Sequence, residues 1–246
     1  MTTSKTAFVL LLSCLMLPAC RDPAAEQAAR EAAAAAEQAR AEQEAAVIAA
    51  AFEQAVAAGD WDRARLQGVS LADQYPGTEA AAAIAPRMDE VRQRAEAARE
   101  QRRLQALWQY NQVAAGNGMQ LSAAIHAREP VDVDGSGAKP VQLVFRDHPQ
   151  WKQHAYLVLQ AGDFRCAGGC QVKVSVDGGP ARSMAAWRPD TDEAIAMFIT
   201  DHKRLWKTAA GARVLAIEFP VKAGGTRTAV FETAGVDGER LPARWR

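Results

Sequence analysis

The sequence has few cysteines and few aromatic residues, and its charges cancel. Of 246 residues, 7% are aromatic and four are cysteine, and 29 Lys and Arg balance 29 Asp and Glu. Four cysteines are too few for a disulfide-stapled miniprotein, and the zero net charge excludes a bulk field that would favour nucleic acid. The hydrophobic fraction of 49% is that of a globular protein. Composition therefore excludes wholesale disorder and a polytopic membrane protein, and leaves one large domain or two small ones.

The sequence also lacks the common catalytic signatures. It contains no Gly-x-Ser-x-Gly, no Walker loop, no dinucleotide fingerprint and no His-Glu-x-x-His. Two adjacent pairs, Asp147-His148 and Asp201-His202, do not form dyads by themselves because neighbouring side chains point in different directions. We expect both pairs to be solvated surface. The sequence thus predicts no catalytic residue, metal site or cofactor, and we expect that the protein is not an enzyme.

The N-terminal residues of the sequence have the features of an export signal. Lys5 precedes an apolar run over residues 7–17, and the small residue Ala19 precedes Cys20. The run is too short to span a bilayer, which takes about 20 apolar residues. Residues 1–19 are therefore predicted to be a signal peptide.

The string Leu17-Pro18-Ala19-Cys20 resembles the lipobox of bacterial lipoproteins, whose cysteine is acylated and becomes the new N-terminus. The resemblance implies a lipid anchor on Cys20 and attachment to a membrane. Because residue 21 is Arg instead of Asp, the enterobacterial sorting rule implies the periplasmic face of the outer membrane. Cys14 is a second lipobox-like position with a shorter apolar run before it, and an ordinary secretory signal is the other alternative.

An alanine-rich segment follows, and residues 20–58 are predicted to be a helical tether. Residues 23–51 are more than half Ala, with Glu, Gln and Arg supplying nearly all the rest. These are strong helix formers, and about 34 residues at 1.5 Å each would reach about 50 Å. A single exposed helix and a loose coiled coil both remain open. From Val47 onward, Val47, Phe52 and Val56 are spaced as one helix face.

Residues 59–110 are predicted to be a helical hairpin. The string Gly59-Asp60-Trp61, with Ala64 and a later Tyr75-Pro76, resembles a tetratricopeptide-type repeat. Only one hairpin is present, whereas a solenoid needs about three repeats to bury a continuous core. Thr78 is the expected N-cap of the next helix, which Pro86 should interrupt before it continues to Trp108.

From residue 117 onward the hydrophobic period changes to two, which predicts an antiparallel β-sandwich over residues 117–246. One helix is expected from Asp201 to about Ala209. The predicted strands are residues 119–127, 141–145, 155–160, 172–176, 183–187, 194–199, 214–221 and 226–233.

Cys166 and Cys170 flank a Gly-rich loop of three residues, and we expect a disulfide between them across a hairpin. A redox pair would require a group that lowers a thiol pKa, and only Arg165 is adjacent. A zinc site would require a second pair of ligands, and neither His148 nor His154 has a recognised spacing to the cysteines.

Several strings in the last 120 residues or so resemble a type of uncharacterised exported bacterial protein. They are Leu143-Val144-Phe145-Arg146-Asp147-His148-Pro149, Gly162-Asp163-Phe164-Arg165-Cys166, Met197-Phe198-Ile199-Thr200-Asp201 and Val230-Phe231-Glu232-Thr233. The resemblance implies a β-sandwich with a disulfide and carries no activity. Trp151, Trp187, Trp206 and Trp245 are candidates for a ligand-binding aromatic patch, with core packing as the default expectation.

Together these features predict an α+β protein with an N-terminal Ala-rich long helix, a helical hairpin and a C-terminal antiparallel β-sandwich with one short helix. We expect a lipid-anchored cell-envelope protein that acts as a binding or scaffolding module and has an envelope protein as its partner. The alternative is an exported enzyme or enzyme inhibitor that uses the loops of the β-sandwich.

Overall fold

The computed structural model describes residues 22–190, 195–240 and 245. The predicted signal peptide, Cys14 and the predicted lipidation site Cys20 lie outside these residues. The chain divides between Arg92 and Gln93 into two compact units. Each unit has its own cluster of buried apolar side chains.

The first unit begins with the long alanine-rich helix that the sequence predicted. Helix α1 spans Pro23–Ala57, and the Asp22 carboxylate caps it by accepting a hydrogen bond from Ala24 N at 3.0 Å. Gly59 follows the helix with a φ of 69°, a backbone conformation that favours glycine over other residues. The Asp22 cap and Gly59 therefore mark the two ends of the helix.

Three further helical segments follow α1. They are α2 at Trp61–Gln74, α3 at Glu79–Ile84 and α4 at Met88–Ala106, with a 3₁₀ turn at Ala85–Arg87 before α4. Thr78 caps α3 by accepting from Ala81 N at 3.3 Å, and the 3₁₀ turn contains Pro86. The predicted cap and the predicted interruption are both confirmed. The helix ends at Ala106 because Trp108 already belongs to a strand.

The apolar cluster of the first unit is small. Its larger members are Phe52, Leu71, Ile84, Met88 and Val91, and the rest are alanines. The predicted helix face on α1 is correct for Phe52 but wrong for Val47, which is 71% exposed. Ile48 and Ala49 pack against the cluster instead, one and two residues further along α1.

In its described residues, the second unit contains nine strands, all paired antiparallel. They are β1 at Trp108–Ala115, β2 at Gly118–His126, β3 at Val141–His148, β4 at Lys152–Leu159, β5 at Cys170–Val176, β6 at Arg182–Trp187, β7 at Ala196–Ile199, β8 at Val214–Pro220 and β9 at Thr226–Glu232. The one short helix of this part, α5, spans His202–Gly211 and is capped by the Asp201 carboxylate, as predicted. The α+β class and the antiparallel C-terminal sheet are thereby confirmed. Strand β1 was not predicted, and the sheet begins before residue 117.

Hydrogen bonding connects these nine strands in the order β1-β2-β3-β4-β7-β6-β5-β8-β9, so the strands of the described residues form one sheet. The link between β7 and β6 is narrow and consists of the pairs Ala186↔Ile199 and Trp187↔Phe198. Arg128 N, just beyond β2, donates to Val230 O of β9 at 2.7 Å. Because β2 and β9 are far apart in the strand order, this contact shows that the sheet bends. The layered arrangement expected of a sandwich therefore comes from one sheet that curls around a single core.

Aromatic side chains fill one end of this core. Phe145 on β3 makes edge-to-face contacts with Trp206 of α5 at 4.9 Å and with Trp245 at 5.9 Å between ring centroids. Trp108 lies 6.3 Å from the same ring. All four side chains are buried, and edge-to-face pairs add to the stabilisation that burial provides.

The disulfide between Cys166 and Cys170 is present, with their Cα atoms 5.0 Å apart. The hairpin predicted around it is wrong, because β5 pairs with β6 and β8 while β4 pairs with β3 and β7. The disulfide instead closes a tight turn before β5, in which Gly169 N donates to Cys166 O at 3.2 Å. Gly168 and Gly169 both have positive φ, which makes so tight a turn possible.

Candidate functional site

The outer face of the sheet carries a row of aromatic side chains. Tyr156 on β4, Phe198 on β7 and Trp187 on β6 are directly opposite one another in the strand register. Their chain neighbours Leu157, Met197 and Ala186 are buried in the core. Because successive side chains of a strand point to opposite faces, the three rings lie on the face away from the core.

Two more planar groups extend this row toward the turn between β3 and β4. The Arg146 guanidinium lies 5.2 Å from the centroid of the Tyr156 ring and 5.3 Å from that of Trp151. Beyond Tyr156, ring centroids follow at 5.0 Å to Phe198 and then at 4.7 Å to Trp187. We refer to Trp151, Arg146, Tyr156, Phe198 and Trp187, in this order, as the planar stack.

The turn between β3 and β4 fixes the position of Trp151. The His148 ring stacks on the Trp151 ring with centroids 4.1 Å apart and planes 14° apart. His148 Nδ1 also accepts hydrogen bonds from the backbone N–H groups of Gln150 and Trp151, both at 3.2 Å. The prediction that Asp147 and His148 are solvated is wrong, since both side chains are buried. His148 instead organises one end of the planar stack.

The electrostatics of the planar stack depend on Arg146. Within the described part of the chain, no carboxylate forms an ion pair with this guanidinium, which is held between two rings by cation–π attraction. Burial raises the pKa of the Tyr156 hydroxyl, against the opposing effect of Arg146. Burial, followed by the charges of Arg146 and His202, lowers the pKa of His154, whose ring edge packs on Phe198. The surface therefore presents one fixed positive charge among neutral rings.

The tryptophans that the sequence suggested as an aromatic patch divide into two groups. Trp206 and Trp245 are core residues, whereas Trp151 is 59% exposed and Trp187 is 42% exposed at the two ends of the planar stack. Sequence reasoning did not identify Tyr156, Phe198 or Arg146 as members of a site. The alternation along β4 indicates that Tyr156 and Leu157 point to opposite faces, and this signal was available in the sequence. The sequence did not indicate that β4, β7 and β6 are neighbours in the sheet.

The remaining predicted site residues are not brought together. Cys166 and Cys170 form the structural disulfide, and Asp201 caps α5. Among the residues described, no group of three or more His, Cys, Asp or Glu side chains is placed to hold a metal ion. In the same part of the chain, no helix has both the length and the apolar character needed to cross a membrane.

Comparison with known proteins identifies no family for this chain. No family model and no curated protein matches the chain. The chain is similar to a solved structure of invasion associated protein B from Bartonella henselae, at 13% identity and a TM-score of 0.35. That match covers 52% of this chain and 85% of the other.

Proposed function

We propose that this protein is a non-catalytic binding module of the cell envelope and that its planar stack is the surface that binds a partner protein. The observation that carries the proposal is the stack itself, in which two exposed tryptophans, a tyrosine and an arginine are contiguous. Trp, Tyr and Arg are the residue types that dominate the binding energy of protein interfaces.

The geometry favours a protein over a sugar, whose ring would stack on an open aromatic face. The Trp187 and Phe198 rings are within 16° of parallel at 4.7 Å, so each covers a face of the other. The rings thus offer edges and apolar area to a partner instead of a row of open faces. Because neighbouring planar groups already hold each side chain in place, little conformational entropy is lost on binding. We expect the partner to supply a carboxylate to Arg146.

A photo-crosslinking amino acid at position 150, an exposed glutamine next to the planar stack, tests this proposal in the full chain expressed in its own cells. We expect one discrete crosslinked protein, and we expect Trp187→Ala to reduce its yield at least tenfold, since truncating an interface tryptophan costs about 2 kcal/mol or more, or about thirtyfold in affinity. Val113→Ala on β1 is the matched control, because Val113 is 52% exposed and lies outside the planar stack.

Three results would contradict the proposal. They are the absence of a discrete crosslinked product, an equal loss of yield in the Trp187→Ala and Val113→Ala proteins, and a product that consists of two copies of this chain. Near-ultraviolet circular dichroism of both variants checks that the fold is intact.

The envelope location is part of the same proposal and rests on the lipobox resemblance around Cys20. We expect Cys20→Ser to replace the membrane-bound form with precursor or soluble protein, because the acylated thiol is lost. Labelling cells with an acyl-chain probe measures this directly. Equal labelling of wild type and Cys20→Ser, with loss only in Cys14→Ser, would move the lipidation site to Cys14.

A further inference from the structure

A cavity of about 310 Å³ opens between the β5–β6 hairpin and helix α5. None of its lining residues belongs to the planar stack. Its apolar lining consists of Val174, Val176, Pro180 and Met184. Val174 and Met184 belong to the buried core of the sheet. The floor of the cavity is therefore the hydrophobic core itself, and the volume is at the lower end of the range for small-molecule sites.

Two arginines line the same cavity from opposite sides. Arg182 is the register partner of Val174, so its side chain lies on the core-facing side of β6 together with Met184. Arg204 lies on α5, one helical turn before Thr208, which also lines the cavity. In the described part of the chain, neither arginine forms an ion pair with an acidic side chain. Both arginines are exposed at the opening of the cavity, so their charges are available to a ligand there.

Hydrogen bonds donated by backbone N–H groups hold the walls of the cavity in place. The Asp177 carboxylate at the tip of the β5–β6 hairpin accepts from Arg213 N at 3.0 Å and from Val214 N at 2.8 Å. These two residues follow α5 directly in the chain. Gly179 N donates to Val176 O at 2.8 Å within the same turn. The hairpin is thus fixed to the start of β8, which holds one wall of the cavity in place.

We propose that this cavity binds an amphipathic anion, with an acyl chain on the Val174 and Met184 floor and an acidic head group between Arg182 and Arg204. Apolar walls with two convergent cations fit a ligand that has both an apolar body and a negative charge. The head group is a carboxylate, as in a fatty acid, or a phosphate, as in a lipid. The site shares no residue with the planar stack, so its test is independent of the proposed protein partner.

The experiment uses the full chain in digitonin, a detergent without an alkyl chain, with ¹³C-methyl methionine. The Met184 methyl resonance, assigned with Met184→Leu, reports on the cavity floor, and Met119 on β2 is the internal control because it is exposed. We expect saturable shifts of the Met184 resonance, but not of Met119, with decanoate or decyl phosphate. Acetate lacks the chain and decyltrimethylammonium reverses the charge, so neither should produce the shift.

The charge requirement is tested with two matched double variants. We expect Arg182→Gln with Arg204→Gln to weaken binding by about tenfold or more, because two charge-assisted hydrogen bonds are lost. Lys203→Gln with Lys207→Gln removes the same charge from exposed positions of α5 that do not line the cavity, and should bind as wild type does. The ratio of decanoate to decyl phosphate affinity identifies the head group.

Three results would overturn the site. They are the absence of a Met184 shift with either anion, equal binding by the two double variants, and equal binding of the alkyl cation. Thermal unfolding of each variant in the absence of ligand confirms that a loss of binding does not reflect a loss of fold.

Discussion

Gly235 passes so close to the backbone of α4 that no larger residue fits there. A Cβ built on Gly235 would overlap the carbonyl group of Leu104 and the amide nitrogen of Gln105. Backbone atoms inside a helix cannot move aside without breaking helical hydrogen bonds. By contrast, a Cβ on Gly68 would meet the end of the flexible Met88 side chain, which can adopt another rotamer.

We therefore predict that Gly235→Ala lowers the free energy of unfolding by about 3 kcal/mol, the upper range for overpacking a close contact. Gly211→Ala is the matched control, because a Cβ at Gly211 meets nothing within 4 Å and its φ is not positive. We expect that control to lie within about 0.5 kcal/mol of wild type. Urea unfolding measures both, and equal stability of the two variants would contradict the contact at Gly235.

The helices and strands show which elements of the fold can be predicted from sequence patterns. Alternation predicted β2 to β9 because each of these strands has a buried face. Strand β1 was missed because most of its side chains are exposed and it lies at the end of the strand order. The alternation of Trp108 and Tyr110, before the tight turn at Gly116-Asn117, was the signal that could have revealed it.

The candidate site was harder to predict than the elements that carry it. Tyr156, Phe198 and Trp187 come from strands that are not consecutive along the chain, and a strand's neighbours are set by the long-range order of the sheet. The Cys166–Cys170 pairing followed from spacing, but its location in a turn did not, for the same reason. Local patterns specify elements, whereas sites assembled from distant elements depend on topology.

Helix α4 and strand β9 are joined by a charged cluster around Arg103. Its guanidinium nitrogens donate to both Glu232 oxygens at 2.8 and 3.2 Å, and to both Glu100 oxygens at 2.7 and 2.9 Å. Hydrogen bonds from Arg103 lower the pKa of Glu232, with burial and the Glu100 charge acting in the opposite direction. Such a bidentate pair is stronger than a single contact between exposed charges.

The lowered pKa of Glu232 predicts a pH-dependent contribution to stability. Because the carboxylate is favoured in the folded state, its stabilisation is present above the ordinary pKa of 4.5 and is lost as the pH falls through the folded value. We expect Glu232→Gln to lower the melting temperature by a few degrees at pH 7, and we expect this deficit to shrink as the pH falls below 4.5 and through the lowered pKa of folded Glu232.

Glu218→Gln is the control for this pH dependence. The Glu218 carboxylate forms an ion pair with Lys173, whose side chain is 58% exposed, so we expect a smaller effect at neutral pH. Melting curves of wild type and both variants across this pH range measure the difference. A Glu232→Gln deficit that persists unchanged at low pH would show that the variant loses packing instead of charge.

At the scale of the whole molecule, the two units differ in the material that holds each together. The first unit buries one phenylalanine, a few aliphatic side chains and several alanines. The second buries Phe145, Phe164, Phe219 and Phe231 together with three tryptophans, and it contains the disulfide. The hydrophobic effect scales with buried apolar area, so the second unit should be the more stable.

We predict that residues 93–246 fold on their own and melt cooperatively, whereas residues 22–92 lose their helical signal gradually on heating. A fragment of residues 108–246 should melt at a lower temperature, because it lacks Arg103 and Leu104, which contact Glu232 and Gly235. Trp61 is the one tryptophan of the first fragment, so fluorescence reports on each unit separately.

If residues 93–246 are insoluble until residues 22–92 are supplied, the two cores depend on each other and the division between Arg92 and Gln93 does not separate folding units. A sharp transition of the larger fragment, unchanged by adding the smaller one, would instead establish that the curled sheet carries its own stability.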